Sequence, residues 1–231
     1  MKSLVKFIVA LIFLSTAGTG FGQDCKIFDD YKEGSSVKMV HYDKKDKATG
    51  FTISTVKEKK KIPGGLSVVF HQKYSDYDEY AYEGEFDMRC ENGDVYVDMA
   101  KFLDPNTLAA YENMEIEVVA DDISIPSNAK AGDVLNDGAV TVTVNTGSPV
   151  KISITVTLSN RRIESFEKVE TPAGSFECMK IAYDMLTQIG FVKIQASAIE
   201  YYTKDHGVIK TESYSKKGKL TAYSVVEEII N

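Results

Sequence analysis

The sequence predicts an all-β fold: a strongly curved antiparallel sheet or incomplete barrel of about ten to twelve strands with one short helix. Three observations carry this. Apolar and polar residues alternate with period two on both sides of Asn92-Gly93. The same alternation recurs on both sides of the cluster Thr146-Gly147-Ser148-Pro149. Turn-forming residues punctuate the rest of the chain at intervals too short for a helical domain. So many consecutive antiparallel strands must curl, close or split into two layers.

The first segment sets the compartment. Lys2 and Lys6 precede an apolar run, Leu4 to Leu14, and the small residues Ser15, Thr16, Ala17 and Gly18 follow. This is the charged, apolar and cleavable order of a secretory signal. The run is too short for a permanent membrane helix, which needs about 20 residues. Cleavage is expected after Gly22, so residues 1–22 form the signal peptide and residues 23–231 a single domain. An uncleaved anchor and a lipoprotein are the alternatives. Against lipidation, Cys25 follows Gln23 and Asp24 and not small or apolar residues. The expected location is periplasmic or extracellular, with association to the outer membrane an option.

The best local signal is a hairpin at Asn92-Gly93. Tyr82, Phe86, Met88 and Cys90 alternate with acids and Arg89; Val95, Val97 and Met99 alternate with Tyr96 and Asp98. Asn-Gly suits the two positive-φ positions of a type I′ turn. A two-residue loop then sets Cys90 opposite Val95, Met88 opposite Val97 and Phe86 opposite Met99, all on one face. A second pair comes from Val140, Val142 and Val144 against Val150, Ile152, Ile154, Val156 and Leu158. One dry and one wet face is the antiparallel pattern.

Pro63-Gly64-Gly65 separates strands at 51–61 and 66–74. Thr171-Pro172-Ala173-Gly174 separates 163–170 from 175–185, with Gly174 closing a three-residue hairpin. His206-Gly207 leads into the last strands. Asp104 as N-cap and Pro105 at the first position predict about two helical turns ending near Asn113, with Leu108 and Tyr111 on one side, packed on the concave face. A weak echo links residues 42–51 with 214–223. Both read as hairpins with a lysine-flanked loop, Lys45-Asp46 and Lys217-Gly218, whose lysines suit edge protection.

Charge and motifs exclude more than they assign. Net charge is −7, and loss of Lys2 and Lys6 takes it to about −9. An acidic chain repels nucleic acid and anionic membrane surfaces, and no basic patch is dense enough to overturn that. No further run reaches membrane-spanning length. His41, His71 and His206 lie far apart, without metal-ligand spacing. Cys178 has no identifiable base or orienting partner, and Ser175 lies in a turn, not in a nucleophile elbow. Asp76, Asp78 and Glu79, and the pair Asp121-Asp122, lack the ligand ladder of a calcium loop. Gly64-Gly65 is not followed by a phosphate-binding Lys-Ser pair. No cofactor and no enzymatic activity are expected. The three cysteines, Cys25, Cys90 and Cys178, allow three pairings or none.

Three stretches carry a family resemblance: C-x-x-F-x-x-Y-K-E-G at 25–34, R-C-E-N-G at 89–93 and T-P-A-G-S-F-E-C-M-K-I at 171–181, with K-T-E-S-Y-S-K-K-G-K-L at 210–220 also fitting. The chain resembles the TapB-like family of secreted envelope proteins. The resemblance implies an all-β fold, no assigned activity and a disulfide between Cys25 and Cys90. Asp46 departs from it, standing where a loop glycine is expected.

Two functions remain. A sheet lined by Val140, Val142, Ile152, Ile154, Phe86 and Met88 would hold an apolar, lipid-like ligand in a preformed cavity of several hundred Å³. Alternatively the chain is a structural or protein-interaction component of the envelope, with an exposed patch or strand edge for an envelope partner.

Overall fold

The structure is a computed structural model that describes residues 25, 31–77, 81–103, 114–145, 147, 151–203 and 205–230. The expected signal peptide and the expected helix at 104–113 lie outside these residues. Among the described residues the regular structure is thirteen strands and one 3₁₀ turn. The first strands are β1 (Ser36–Asp43), β2 (Ala48–Ile62), β3 (Gly65–Asp76), β4 (Ala81–Glu91) and β5 (Asp94–Asp98). Then come the 3₁₀ turn Met99–Phe102, β6 (Glu115–Ala120), β7 (Asp122–Ile125) and β8 (Gly138–Asn145). The last are β9 (Ile152–Thr171), β10 (Gly174–Ile189), β11 (Val192–Thr203), β12 (Gly207–Ser215) and β13 (Leu220–Ile230).

They form one antiparallel sheet in the order β6-β8-β9-β10-β11-β12-β13-β1-β2-β3-β4-β5-β7. Two meanders are zipped together where β13 pairs with β1, from Ser36 opposite Ile230 to Asp43 opposite Ala222. The edge strands β6 and β7 are separated only by Asp121. β6 pairs with β8, Val118 opposite Val142, and β7 with β5, Ile123 opposite Val97. Asp121 N–H donates to Ala139 O at 2.8 Å, and its carbonyl accepts from Met99 N–H at 3.1 Å. One segment therefore changes partner at Asp121, and the sheet nearly closes into a barrel. Gly138 permits the approach, since a Cβ there would stand 2.6 Å from Ile123 Cγ2.

The Asn92-Gly93 turn has φ of 53° and 90°, as a type I′ turn requires. Cys90 faces Val95 and Met88 faces Val97. The expected partner of Phe86 is absent, because β5 ends at Asp98, whose side chain accepts from Ala100 N–H at 2.8 Å and starts the 3₁₀ turn instead. Val140, Val142 and Val144 face Val156, Ile154 and Ile152, on the one apolar face expected from the alternation.

Four details differ from the sequence reading. Strands expected at 150–158 and 163–170 are one strand, β9, bent at Asn160 with φ 54°. There Asn160 and Arg161 together oppose Tyr183, a bulge that absorbs the bend. The Thr171–Gly174 hairpin has a two-residue loop, Pro172-Ala173, because Thr171 pairs directly with Gly174. The echoing hairpins are not at sheet edges: β1, β2, β12 and β13 are all paired on both sides, so their lysines guard no edge. Asp46 adopts φ 60° without being glycine. Its short polar side chain tolerates this conformation.

Candidate ligand-binding site

Inward positions on neighbouring strands set the site. Thr52, Ser54 and Val56 alternate on β2, with Phe70 and Gln72 beside them on β3 and Phe86 and Met88 on β4. β1 supplies Val37, Met39 and His41; Gly207, Val208 and Ile229 come from β12 and β13. Together with Tyr31, and with Lys101, Glu200 and His206 also on the wall, these groups line a cavity of about 190 Å³.

Its chemistry is two-sided. At the apolar end Phe70 stacks on Phe86 with centroids 5.1 Å apart, and Tyr31 meets Phe70 edge-on at 5.3 Å. At the polar end His41 Nδ1 lies 2.7 Å from Ser224 Oγ and Nε2 lies 2.6 Å from Thr52 Oγ1. Gln72 Nε2 donates to Ser54 Oγ at 3.3 Å. Burial lowers the His41 pKa below its ordinary value, which keeps the ring neutral. A neutral imidazole has one donor and one acceptor, and rotatable hydroxyls satisfy both. Ser224 and His41 are half of a nucleophile–base arrangement. Among the described residues no carboxylate is hydrogen-bonded to the ring, the orienting group such a pair uses.

Of the residues expected to line a ligand site, Phe86 and Met88 do so. Val140, Val142, Ile152 and Ile154 do not: the first two are wholly buried, Ile154 is 3% exposed, and Ile152 packs against the same core cluster. β-branched side chains fill that half of the interior, and the cavity is correspondingly smaller than several hundred Å³. His41 was not expected to line a cavity. Its partner Ser224 reaches it only through the pairing of β1 with β13. His71 sits 3.2 Å from Glu83, and His206 lies edge-on to Phe176 at 5.8 Å. Among the described residues no cluster of three or more His, Cys, Asp or Glu side chains is placed to hold a metal. Cys25 and Cys90 are disulfide-bonded, with Cα atoms 5.7 Å apart. Cys178 is a free, buried thiol whose pKa burial pushes up to about 11, so it stays protonated near neutrality. A second depression of about 570 Å³ lies between Phe166, Phe176, Met179 and Tyr202. It opens at the surface, with Phe166 53% exposed, and Ser175, Glu177, Thr203, Asp205 and His206 also line it.

The DUF3108-like family matches residues 32–226, most of the chain. The chain belongs to the DUF3108-like family. Two solved structures have the fold of this DUF3108-like chain. One is described as an exported protein with a YmcC-like fold, from Bacteroides fragilis NCTC 9343. It is 24% identical, covers 87% of this chain and 97% of its own, and has a TM-score of 0.72. The other is described as a lipoprotein, from Parabacteroides distasonis ATCC 8503. It is 23% identical, covers 90% of this chain and 100% of its own, and has a TM-score of 0.75. At these identities the likeness is one of fold. No curated protein matches the DUF3108-like chain. The family that matches carries the DUF3108-like description and not the TapB-like one to which the motifs pointed.

Proposed function

We propose that this DUF3108-like chain is an exported, non-catalytic envelope protein that shelters a small amphiphile inside its curved sheet. Export is supported by the segment 1–22, by a disulfide suited to an oxidising compartment, and by fold neighbours described as an exported protein and a lipoprotein. No helix among the described residues is long and apolar enough to cross a membrane. The observation that carries the ligand reading is the two-sided cavity, with stacked aromatic rings at one end and hydroxyl, imidazole and amide groups at the other.

Size limits the guest. A cavity of about 150 Å³ takes benzene, whereas drug-sized sites run to about 300–1,000 Å³. The 190 Å³ available fits one ring or a short run of methylenes beside a hydrogen-bonding head, and not a whole lipid. The test is to titrate the folded protein with a series of straight-chain alcohols and carboxylates while following methyl resonances. Shifts at Val56 and Met88 with Val142 unmoved support the reading. Shifts confined to Val142, or none at any chain length, contradict it.

A second reading has its own observation. Val118 and Val119 on edge strand β6 are 46% and 62% exposed. An apolar sheet edge suits strand addition by an envelope partner. Cross-linking from position 118 in intact cells would capture that partner; recovery of monomer alone would remove this reading.

A further inference from the structure

At the end of the sheet where β1 turns into β2, the fold assembles a basic surface that the linear sequence hides. The β1–β2 turn carries Lys44, Lys45 and Lys47, the β12–β13 turn carries Lys216, Lys217 and Lys219, and all six are exposed. Tyr42 of β1 faces Tyr223 of β13, so the two turns lie side by side. They have the same backbone. Asp46 N–H donates to Asp43 O at 3.1 Å and Gly218 N–H to Ser215 O at 2.8 Å, while the Asp43 and Ser215 amides each donate at 2.9 Å to the carbonyls of Lys47 and Lys219. The rings of Tyr42 and Tyr223 stack at 4.9 Å, and the Tyr223 hydroxyl donates to Asp46 Oδ1 at 2.9 Å. The acids of this surface are engaged locally. Asp43 Oδ1 accepts from the Lys45 and Lys47 amides at 2.7 and 3.0 Å, and Asp46 accepts from Tyr223. Asp76 of β3 lies opposite Gly50 at the adjoining strand end and adds a third carboxylate among the described residues there. The ion pairs of the described residues, such as Lys38–Glu227 and Lys210–Glu212, involve none of the six lysines.

An apolar tip stands at the same end. The β10–β11 hairpin runs on beyond Ala196, which faces Ser215, the last residue of β12. Its turn is Gly190-Phe191, with Gly190 at φ 56° in the position where a type II′ turn favours glycine. Phe191 is fully exposed, and Val192 and Ile194, two apart and so on one side of the strand, are 60% and 55% exposed. Leu220, directly after Lys219, is 36% exposed.

We propose that this end of the molecule docks on the surface of an anionic phospholipid bilayer. The lysines face headgroup phosphates, and Phe191 with its neighbours enters the headgroup–acyl boundary. Charge complementarity selects the partner: on this end six exposed lysines outnumber the carboxylates Asp43, Asp46 and Asp76 of the described residues, on a chain whose net charge is −7. Salt screens charges more than about 10 Å away. Basic groups flanking an apolar wedge are the combination that holds proteins at membrane interfaces. This surface stands on different residues from the cavity and does not depend on it.

The experiment is flotation of the full chain with vesicles of phosphatidylcholine alone, or of equal parts phosphatidylcholine and phosphatidylglycerol. Flotation with the mixed vesicles is expected at low salt, with loss at high salt and none with phosphatidylcholine alone. The triple variant Lys216→Gln, Lys217→Gln, Lys219→Gln should lower the partition on the order of 100-fold, since each lysine near an anionic surface contributes roughly fivefold. The corresponding arginine triple should retain binding, and Phe191→Ser should weaken it while leaving the salt dependence in place. Thermal melts of all variants should overlay, the sites being exposed. Equal flotation with both vesicles, none with either, or binding that survives the glutamine triple would overturn the proposal. So would retention by a soluble sulfated polysaccharide without flotation, which would give the surface to a different polyanion.

Discussion

Two regions of the sheet interior follow the same period-two rule and end differently. Between β8 and β9 the inward positions are aliphatic and mostly β-branched. Val140, Val142, Val144 and Leu158 reach zero exposure, with Ile154 and Val156 close behind. Across β1, β2 and β3 the inward positions mix Val56 and Phe70 with Thr52, Ser54, His41 and Gln72, whose polar atoms bond to one another. The first region packs solid and the second keeps a cavity. Alternation decides which side chains point inward; their volume and polarity decide whether the interior fills.

That contrast can be broken by experiment. The largest effect is expected from Cys25→Ser. Cys25 and Cys90 are 65 residues apart, and Cys90 is wholly buried on β4. Opening this loop should cost about 4 kcal/mol in denaturant unfolding, provided chain entropy dominates. A loss near zero would show that the bridge to β4 does not stabilise the sheet. Next comes one substitution at two sites. Val142→Ala should cost about 2–3 kcal/mol, from lost methyl burial plus a new void; Val56→Ala, beside space that already exists, should cost about 1.5 kcal/mol. Equal costs would erase the distinction between the regions.

The pH dependence is smaller and belongs to the hollow region alone. His41 has its folded pKa depressed by burial from the ordinary 6.5. The unfolded chain therefore binds this proton first as pH falls. The contribution is complete above about 6.5 and is lost as pH drops toward the folded pKa, at up to about 1.4 kcal/mol per pH unit. Stability curves of the wild type and His41→Gln should diverge below pH 6.5 and run parallel above it. Parallel curves throughout would place His41 in water. The smallest effect is Thr52→Val, which leaves His41 Nε2 without its hydroxyl partner and should cost about 1 kcal/mol.

The sequence shows the packed region far better than the hollow one. The Asn92-Gly93 hairpin is legible because turn chemistry and side-chain period agree locally, and the inward faces of β8 and β9 are legible from the period alone. Phe86 and Met88 could be placed on an inward face for the same reason. Closure by β6 and β7 is not legible: Glu-Ile-Glu-Val-Val-Ala at 115–120 does not alternate cleanly, and its side chains are mostly exposed. The bulge at Asn160 merges two expected strands because the bend is fixed by β10 across the sheet. His41 meets Ser224, and the two lysine turns meet each other, only because the first and last strands pair. Such contacts leave no mark on local pattern.

The central claim is that the hollow region holds a guest while the packed region holds none. Native mass spectrometry of the chain recovered from the envelope of cells that produce it tests this most directly. The account predicts a discrete small-molecule adduct on the wild type that is absent from a folded Ser54→Phe variant, whose ring fills the cavity. A bare polypeptide mass for the wild type, or the same adduct on both proteins, would contradict it.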